Sequence, residues 1–234
     1  MDKTLIEIIF ITVAAAVCAI LMISRKSKSG AGKDKPDADE AMLEREESVR
    51  MAVEAIDLGL SVRWASCNLL AMSAEDRGGL YGWADSLGIE KTAKTRNDAG
   101  VWTSSLYGGA APPRDICGTR LDIARAKLSP LWHLPSEANW QELIDKCQCE
   151  MVEMNGIKGI RATGPNGNSI FLPSAGGRLG FASPAGVGEN GCYWSGTLDV
   201  GDSDCAYCLM FDSSGIRVGS AARFCGFSIR AVAD

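Results

Sequence analysis

In the last third of the chain apolar residues fall on every second position: Tyr207, Leu209 and Phe211, then Ile216 and Val218, then Phe227 and Ile229. A strand sends successive side chains to opposite faces, so each set marks one face of a strand. A helix would need spacings of three and four. The alternation turns these residues, with Trp194, inward and turns Cys208 and Arg217 outward. Gly219 to Ala222 has too little side chain to fill a core. Glycine and tryptophan extend the argument upstream. The 234 residues include 26 Gly and 6 Trp, which suits many turns around an irregular packed core and argues against a helical bundle.

Further elements follow from local signals. Ile56 to Ala65 reads as a strand with a turn at Gly59. Ser136 to Cys147 reads as a helix: Ser136 is a suitable N-cap, Glu137 adds charge to the first turn, and Trp140, Leu143 and Ile144 form one apolar face. Gly159 to Thr163 and Ser169 to Leu172 flank Gly-Pro-Asn-Gly, a hairpin signal. Short strands follow at Cys192 to Ser195, Cys205 to Phe211, Ile216 to Val218 and Gly226 to Val232. One internal helix followed by several strands is an α+β pattern.

Three segments organise the chain. Residues 1–23 are expected to form an N-terminal transmembrane anchor. Leu5 to Ile23 carries only Glu7 as a charge, and nineteen helical residues rise about 28 Å. A signal peptide would have a shorter apolar region with its positive charges ahead of it. Here Arg25, Lys26 and Lys28 follow the run. Residues 24–54 form a polar linker, partly helical where Met42, Val49, Val53 and Ile56 recur. Residues 55–234 form the folded domain. The cationic cluster after the run places that domain in the cytoplasm by the positive-inside rule.

Several ordered motifs resemble one family. Asp57-Leu-Gly-Leu-Ser-Val-Arg-Trp-Ala-Ser-Cys-Asn68, Leu80-Tyr-Gly-Trp-Ala84 and Trp132-His-Leu-Pro-Ser-Glu-Ala-Asn-Trp-Gln-Glu-Leu-Ile144 are similar to motifs of the Fibrobacter succinogenes major paralogous domain. So are Gly164-Pro-Asn-Gly-Asn-Ser-Ile-Phe-Leu-Pro-Ser-Ala-Gly176, Tyr193-Trp-Ser195 and Gly226-Phe-Ser-Ile-Arg-Ala-Val232. The resemblance runs from Asp57 to Val232 and implies a C-type-lectin-like fold, shared with formylglycine-generating enzymes. It also implies a cell-surface or secreted setting, so it places the domain outside the cytoplasm, against the charge rule. The same fold serves the variable proteins of diversity-generating retroelements, in which a C-terminal segment is rewritten, often at Asn codons. Ser195 to Gly226 contains no Lys, Glu, Gln, His, Asn or Trp and is rich in Gly, Ser, Ala, Asp and Cys. Met210 is not reachable from an Asn codon and would be a fixed position. A run of β-turns accounts for the same composition, and both readings stand on the sequence.

Few residues carry chemistry. His133 is the single histidine, beside Trp132 and Leu134 at a helix entrance, where a packed structural role is expected. Cys18 falls in the apolar run, and Cys67, Cys117, Cys147, Cys149, Cys192, Cys205, Cys208 and Cys225 follow; an even number permits disulfides or free thiols. Cys205-x-x-Cys208 on a strand sends its sulfurs to opposite faces, which disfavours zinc. Trp64, Trp83, Trp132, Trp140 and Trp194 are expected in the core, with Trp102 less constrained. The net charge of -5 argues against a nucleic-acid partner. The resulting expectation is a membrane-anchored, non-enzymatic binding module with no cofactor and no metal, whose ligand is a protein or another cell-surface component. Its surface is expected at Leu198, Val200, Asp202, Asp204, Cys205, Cys208, Arg217, Gly219, Ser220, Ala221, Ala222, Phe224 and Cys225. Arg217, Phe224 and Asp204 would anchor the ligand, since aromatic and Arg residues dominate binding energies. The rivals are a structural surface component and a thiol-dependent enzyme.

Overall fold

The computed structural model describes residues 53–85, 94–96, 102–104, 113–180 and 182–234. All of them belong to one compact unit, Leu43–Asp234. The chain begins with β1 (Ala55–Ile56) and β2 (Arg63–Ala65), followed by the hairpin β3 (Lys94–Arg96) and β4 (Trp102–Ser104). Two helices come next, α1 (Ile123–Lys127) and α2 (Glu137–Lys146). A meander follows: β5 (Gln148–Met154), β6 (Ile157–Thr163) and β7 (Ser169–Pro173). Then come β8 (Arg178–Leu179), β9 (Gly191–Leu198), β10 (Cys205–Asp212), β11 (Gly215–Ala222), β12 (Cys225–Gly226) and β13 (Val232–Ala233).

This corrects the expected fold class. The described chain is mostly β, and its two helices have five and ten residues. The α+β expectation rested on one internal helix followed by several strands and did not foresee β5, whose half-exposed residues show no clean alternation. The expected transmembrane helix is corrected as well: among the described residues no helix is long and apolar enough to cross a membrane. The ten residues of α2 rise about 15 Å, half of the roughly 30 Å hydrocarbon core. The run Leu5 to Ile23 lies outside the described residues, as do Cys18 and nearly all of the 24–54 linker.

Three three-stranded antiparallel sheets carry the fold, in the orders β1-β2-β13, β5-β6-β7 and β11-β10-β9. Gly59, at φ 74°, makes the turn between β1 and β2, splitting the single strand expected there. The β6–β7 turn docks on it, with the amides of Asn166 and Asn168 both donating to the Asp57 carbonyl, at 2.9 and 2.8 Å. A Cβ on Gly164 would stand 2.0 Å from the Leu58 carbonyl oxygen, so only glycine permits this approach. Helix α2 starts as its sequence requires: Ser136 and Asn139 form a reciprocal capping box. The expected strand from Gly226 to Val232 is instead two short pieces, β12 and β13. Between them Phe227 and Ser228 make single bridges to Tyr81 and Tyr193.

The β9–β10–β11 sheet separates two apolar clusters. On one face Tyr193, Leu209 and Phe211 pack with Trp64, Trp140 and Leu143. On the other, Trp194, Ala206 and Cys208 pack with Trp83, Ile116, Phe224 and Phe227. The aromatic rings interlock: Trp64 and Trp140 centroids lie 4.6 Å apart, and those of Trp194 and Phe227 4.5 Å. Trp64, Trp83, Trp140 and Trp194 are buried as expected, and Trp132 is half-buried. The Trp102 side chain lies outside the described residues.

A buried cation ties distant segments together. The Arg230 guanidinium is fully enclosed and donates to Asn68 Oδ1, to the Ala65 carbonyl at 3.0 Å and to the Phe171 carbonyl at 2.6 Å. Burial lowers its proton affinity, yet the planar fork with three acceptors suits arginine and no other side chain.

Candidate functional site

The thirteen candidate residues come from three pieces of chain: the end of β9 with the 199–204 loop, β10, and β11 with its exit. A bulge shapes the first piece. Leu198 pairs with Ala206 and Trp194 with Cys208, so Ser195, Gly196 and Thr197 face one residue of β10. Ser195 Oγ donates to the Tyr207 carbonyl at 2.7 Å and holds the bulge shut. Indole N–H groups pin the same stretch: Trp83 donates to the Ser195 carbonyl at 2.9 Å and Trp140 to that of Trp194 at 3.3 Å.

The 199–204 loop is fastened at both ends. Asp199 Oδ1 accepts the Gly201 amide at 2.9 Å, and Asp202 Oδ1 accepts that of Asp204 at 3.0 Å. The Ser220 hydroxyl, and then the Gly201 amide, hold the Asp199 carboxyl below its usual range. The Asp199 charge in turn raises the Tyr207 phenol. Asp204 lies 3.6 Å from Arg223, whose guanidinium stacks over the Trp83 ring at 5.8 Å. Asp204 is therefore already engaged by a buried cation that is not among the thirteen candidates.

β10 and β11 pair without a break, from Cys205↔Ala222 to Asp212↔Gly215. Asp212 accepts the Ser214 amide at 2.7 Å, and the Ser214 hydroxyl and amide lower its carboxyl. Arg217 lies 3.8 Å from Asp212. A Cβ on Gly219 would come within 3.2 Å of Met210 Sδ, so the thioether already covers this glycine.

The structure divides the predicted surface. Val200, Asp202, Arg217 and Ser220 are exposed, Val200 at 74%. Asp204, Cys205, Gly219, Ala221 and Ala222 are half-buried. Leu198, Cys208, Phe224 and Cys225 are buried, Cys208 at 0% and Phe224 at 7%, which corrects their assignment to the surface. The physical reason is the second cluster: the outward face of β10 meets Trp83, Phe224 and Phe227, not solvent. Conversely Tyr207, Ile216 and Val218, expected in the core, are only half-buried, because Ile216 and Val218 stand on the sheet's edge strand and Tyr207 beside Ser220 near the 199–204 loop. The exposed residues form two groups. The loop clusters with Ser220 and Ala222, while Arg217 sits five residues along, about 17 Å away.

No family model, curated protein or solved structure matches the chain.

Other chemistry lies apart from this surface. His133 Nδ1 is 2.8 Å from the Leu134 carbonyl and Nε2 is 3.4 Å from Asp234, a local packing role. Cys67, Cys117, Cys147, Cys149, Cys192, Cys205 and Cys208 carry free thiols. Burial is the first cause raising each of them, with Cys149, Cys192 and Cys205 pushed up to about 11. Among the described residues no group of three or more His, Cys, Asp or Glu is placed to hold a metal ion. A cavity of about 230 Å³ is lined by Ile56, Ser66, Met154, Arg161, Ile170 and Phe171 among others; none of the candidate residues reaches it.

Proposed function

We propose that this protein is a non-enzymatic binding module whose contact surface is the 199–204 loop together with β11. The observation that supports it is the exposure of one end and one edge of the β9–β10–β11 sheet above a buried core. Val200, Asp202, Arg217 and Ser220 stand exposed on a rigid support of indole rings and paired strands. A loop so held loses little freedom on binding, which favours recognition. The raised thiols run against the thiol-enzyme alternative, since a cysteine nucleophile needs a lowered proton affinity. The resemblance to the Fibrobacter succinogenes major paralogous domain supports the same reading, and with it a surface whose small residues vary between relatives.

The test is capture on the immobilised full-length chain. A partner retained by the native protein should be lost with Val200→Asp, Asp202→Lys and Arg217→Glu, while thermal melting stays within about 0.5 kcal/mol of native. Retention unaffected by all three substitutions would overturn the assignment of this surface.

A further inference from the structure

Among the described strands β11 stands at the edge of its sheet, and its outer edge has a defined pattern of backbone groups. The loop Ser213-Ser214 closes the hairpin on Asp212 and Gly215. A two-residue loop closes on a hydrogen-bonded pair, and antiparallel pairing then alternates. Met210–Arg217, Cys208–Gly219 and Ala206–Ala221 exchange their N–H and C=O groups. Those of Ile216, Val218, Ser220 and Ala222 turn away from β10. Two bonds fix the phase. The carbonyls of Cys205 and Tyr207, paired with Ala222 and Ser220, point to the β9 side, where the Asp199 amide and Ser195 Oγ reach them at 3.1 and 2.7 Å. Among the described residues no backbone hydrogen bond uses the outward groups of positions 216, 218, 220 and 222.

Among the described residues this edge carries few of the usual protections: Arg217 is its one charge, and α2 packs on the apolar face of Ile216 and Val218. Its eight residues include no proline and no lysine, and its pairing with β10 has no bulge. Ala221 and Ala222 are too small to obstruct a second backbone. Charge sets a direction. Asp199 and Asp202 gather at the Ala222 end, beside Asp204, which Arg223 already engages, while Arg217 at the other end faces Asp212.

We propose that β11 accepts an added antiparallel strand: an extended polypeptide segment with basic residues at its leading end. An antiparallel strand brings its N-terminal residues to the Ala222 end, so its lysines or arginines meet the carboxylates while its N–H and C=O groups pair with positions 216 to 222. Backbone bonds supply the affinity and the acidic rim the orientation. The proposal rests on the binding-module reading and names the partner's form.

The test uses the full-length chain and the synthetic peptide Lys-Lys-Thr-Val-Thr-Val-Thr, with a second copy N-methylated at alternate residues. In the unliganded protein the amides of Arg217, Gly219 and Ala221 should exchange slowly with deuterium and those of Val218 and Ser220 fast. Peptide should slow exchange at Val218 and Ser220, and the N-methylated copy should bind about tenfold more weakly. Ser220→Pro deletes one outward N–H together with the hydroxyl that holds Asp199, and Ser220→Ala deletes the hydroxyl alone; the Pro variant should bind peptide about tenfold more weakly than the Ala variant, whereas Ser220→Thr should bind as native. Asp202→Asn should weaken binding and flatten its salt dependence. No binding of the peptide, equal binding of the methylated copy, or binding without new protection at Val218 and Ser220 would each overturn strand addition. A captured partner that needs Val200 but ignores Ser220→Pro would overturn strand addition while leaving the binding-module reading intact. Peptide protection at Val218 and Ser220, with capture indifferent to Val200, Asp202 and Arg217, would do the reverse.

Discussion

β10 and β11 are equal in length, eight residues each, and paired throughout, yet they live in different environments. β10 lies between two partners and two apolar clusters, so Ala206, Cys208, Leu209 and Phe211 are all buried. Among the described strands β11 pairs with β10 alone, and none of its residues is fully buried. The period-two pattern is equally clear in both. Alternation tells which residues share a face; it does not tell whether the opposite face is wet.

The comparison breaks if substitutions on the two strands cost the same. The largest effects belong to the aromatic side chains packed against β10. Phe211→Ala and Trp194→Ala should each destabilise by roughly 3–5 kcal/mol, and Phe224→Ala by a similar amount, in chemical denaturation. A Phe224→Ala protein that melts like the native chain would mean that the second cluster does not hold.

Cysteines in one strand give a sharper and smaller contrast. Cys208→Ser should cost about 1–3 kcal/mol, because the hydroxyl replaces a fully buried thiol in the cluster that includes Trp194 and Phe224. Cys205→Ser, at the half-exposed start of β10, should stay within about 0.5 kcal/mol. Alkylation separates them again: Cys205 should react first, and only as pH climbs towards its raised value of about 11. Rapid modification of Cys208 in the native protein would contradict its burial.

The smallest effect is titration of the loop. Asp199 is held low by the Ser220 hydroxyl and the Gly201 amide, so its folded value lies below its unfolded one. Its contribution is then present above the ordinary Asp value, about pH 4, and lost as pH falls through the depressed folded value. Amide shifts of Gly201 should report a midpoint below that of an unperturbed Asp, and Asp199→Asn should abolish the transition. A midpoint at or above the ordinary value would mean that the loop is not fastened to β11.

Much of the local structure was legible because it is written in adjacent residues. Ser136 and Glu137 announce α2, and Gly164-Pro-Asn-Gly announces the β6–β7 hairpin; both appear where expected. Trp64, Trp83, Trp140 and Trp194, expected in the core from their places in the ordered motifs, are buried, while Trp132, expected with them, is half-buried. The site was legible only in part. Val200, Asp202, Arg217 and Ser220 are exposed as foreseen, but Phe224 and Cys208 are not, since what covers them comes from residues such as Trp83 and Ile116, far away in sequence. The same limit hid Arg223 and Arg230. Their partners Asp204, Asn68 and Phe171 carry no local signal, and a buried arginine looks in sequence like a solvated one.

Arg230 also bears on how the domain is made. It bonds the Ala65 carbonyl across 165 residues, and Val232 pairs with Trp64 beside it. A ribosome adding about 5–20 residues per second presents β2 roughly ten to thirty seconds before Arg230 emerges. For that interval Trp64 and the Ala65 carbonyl await their partners, so the nascent domain should expose aromatic surface that holding chaperones recognise until its final strand arrives.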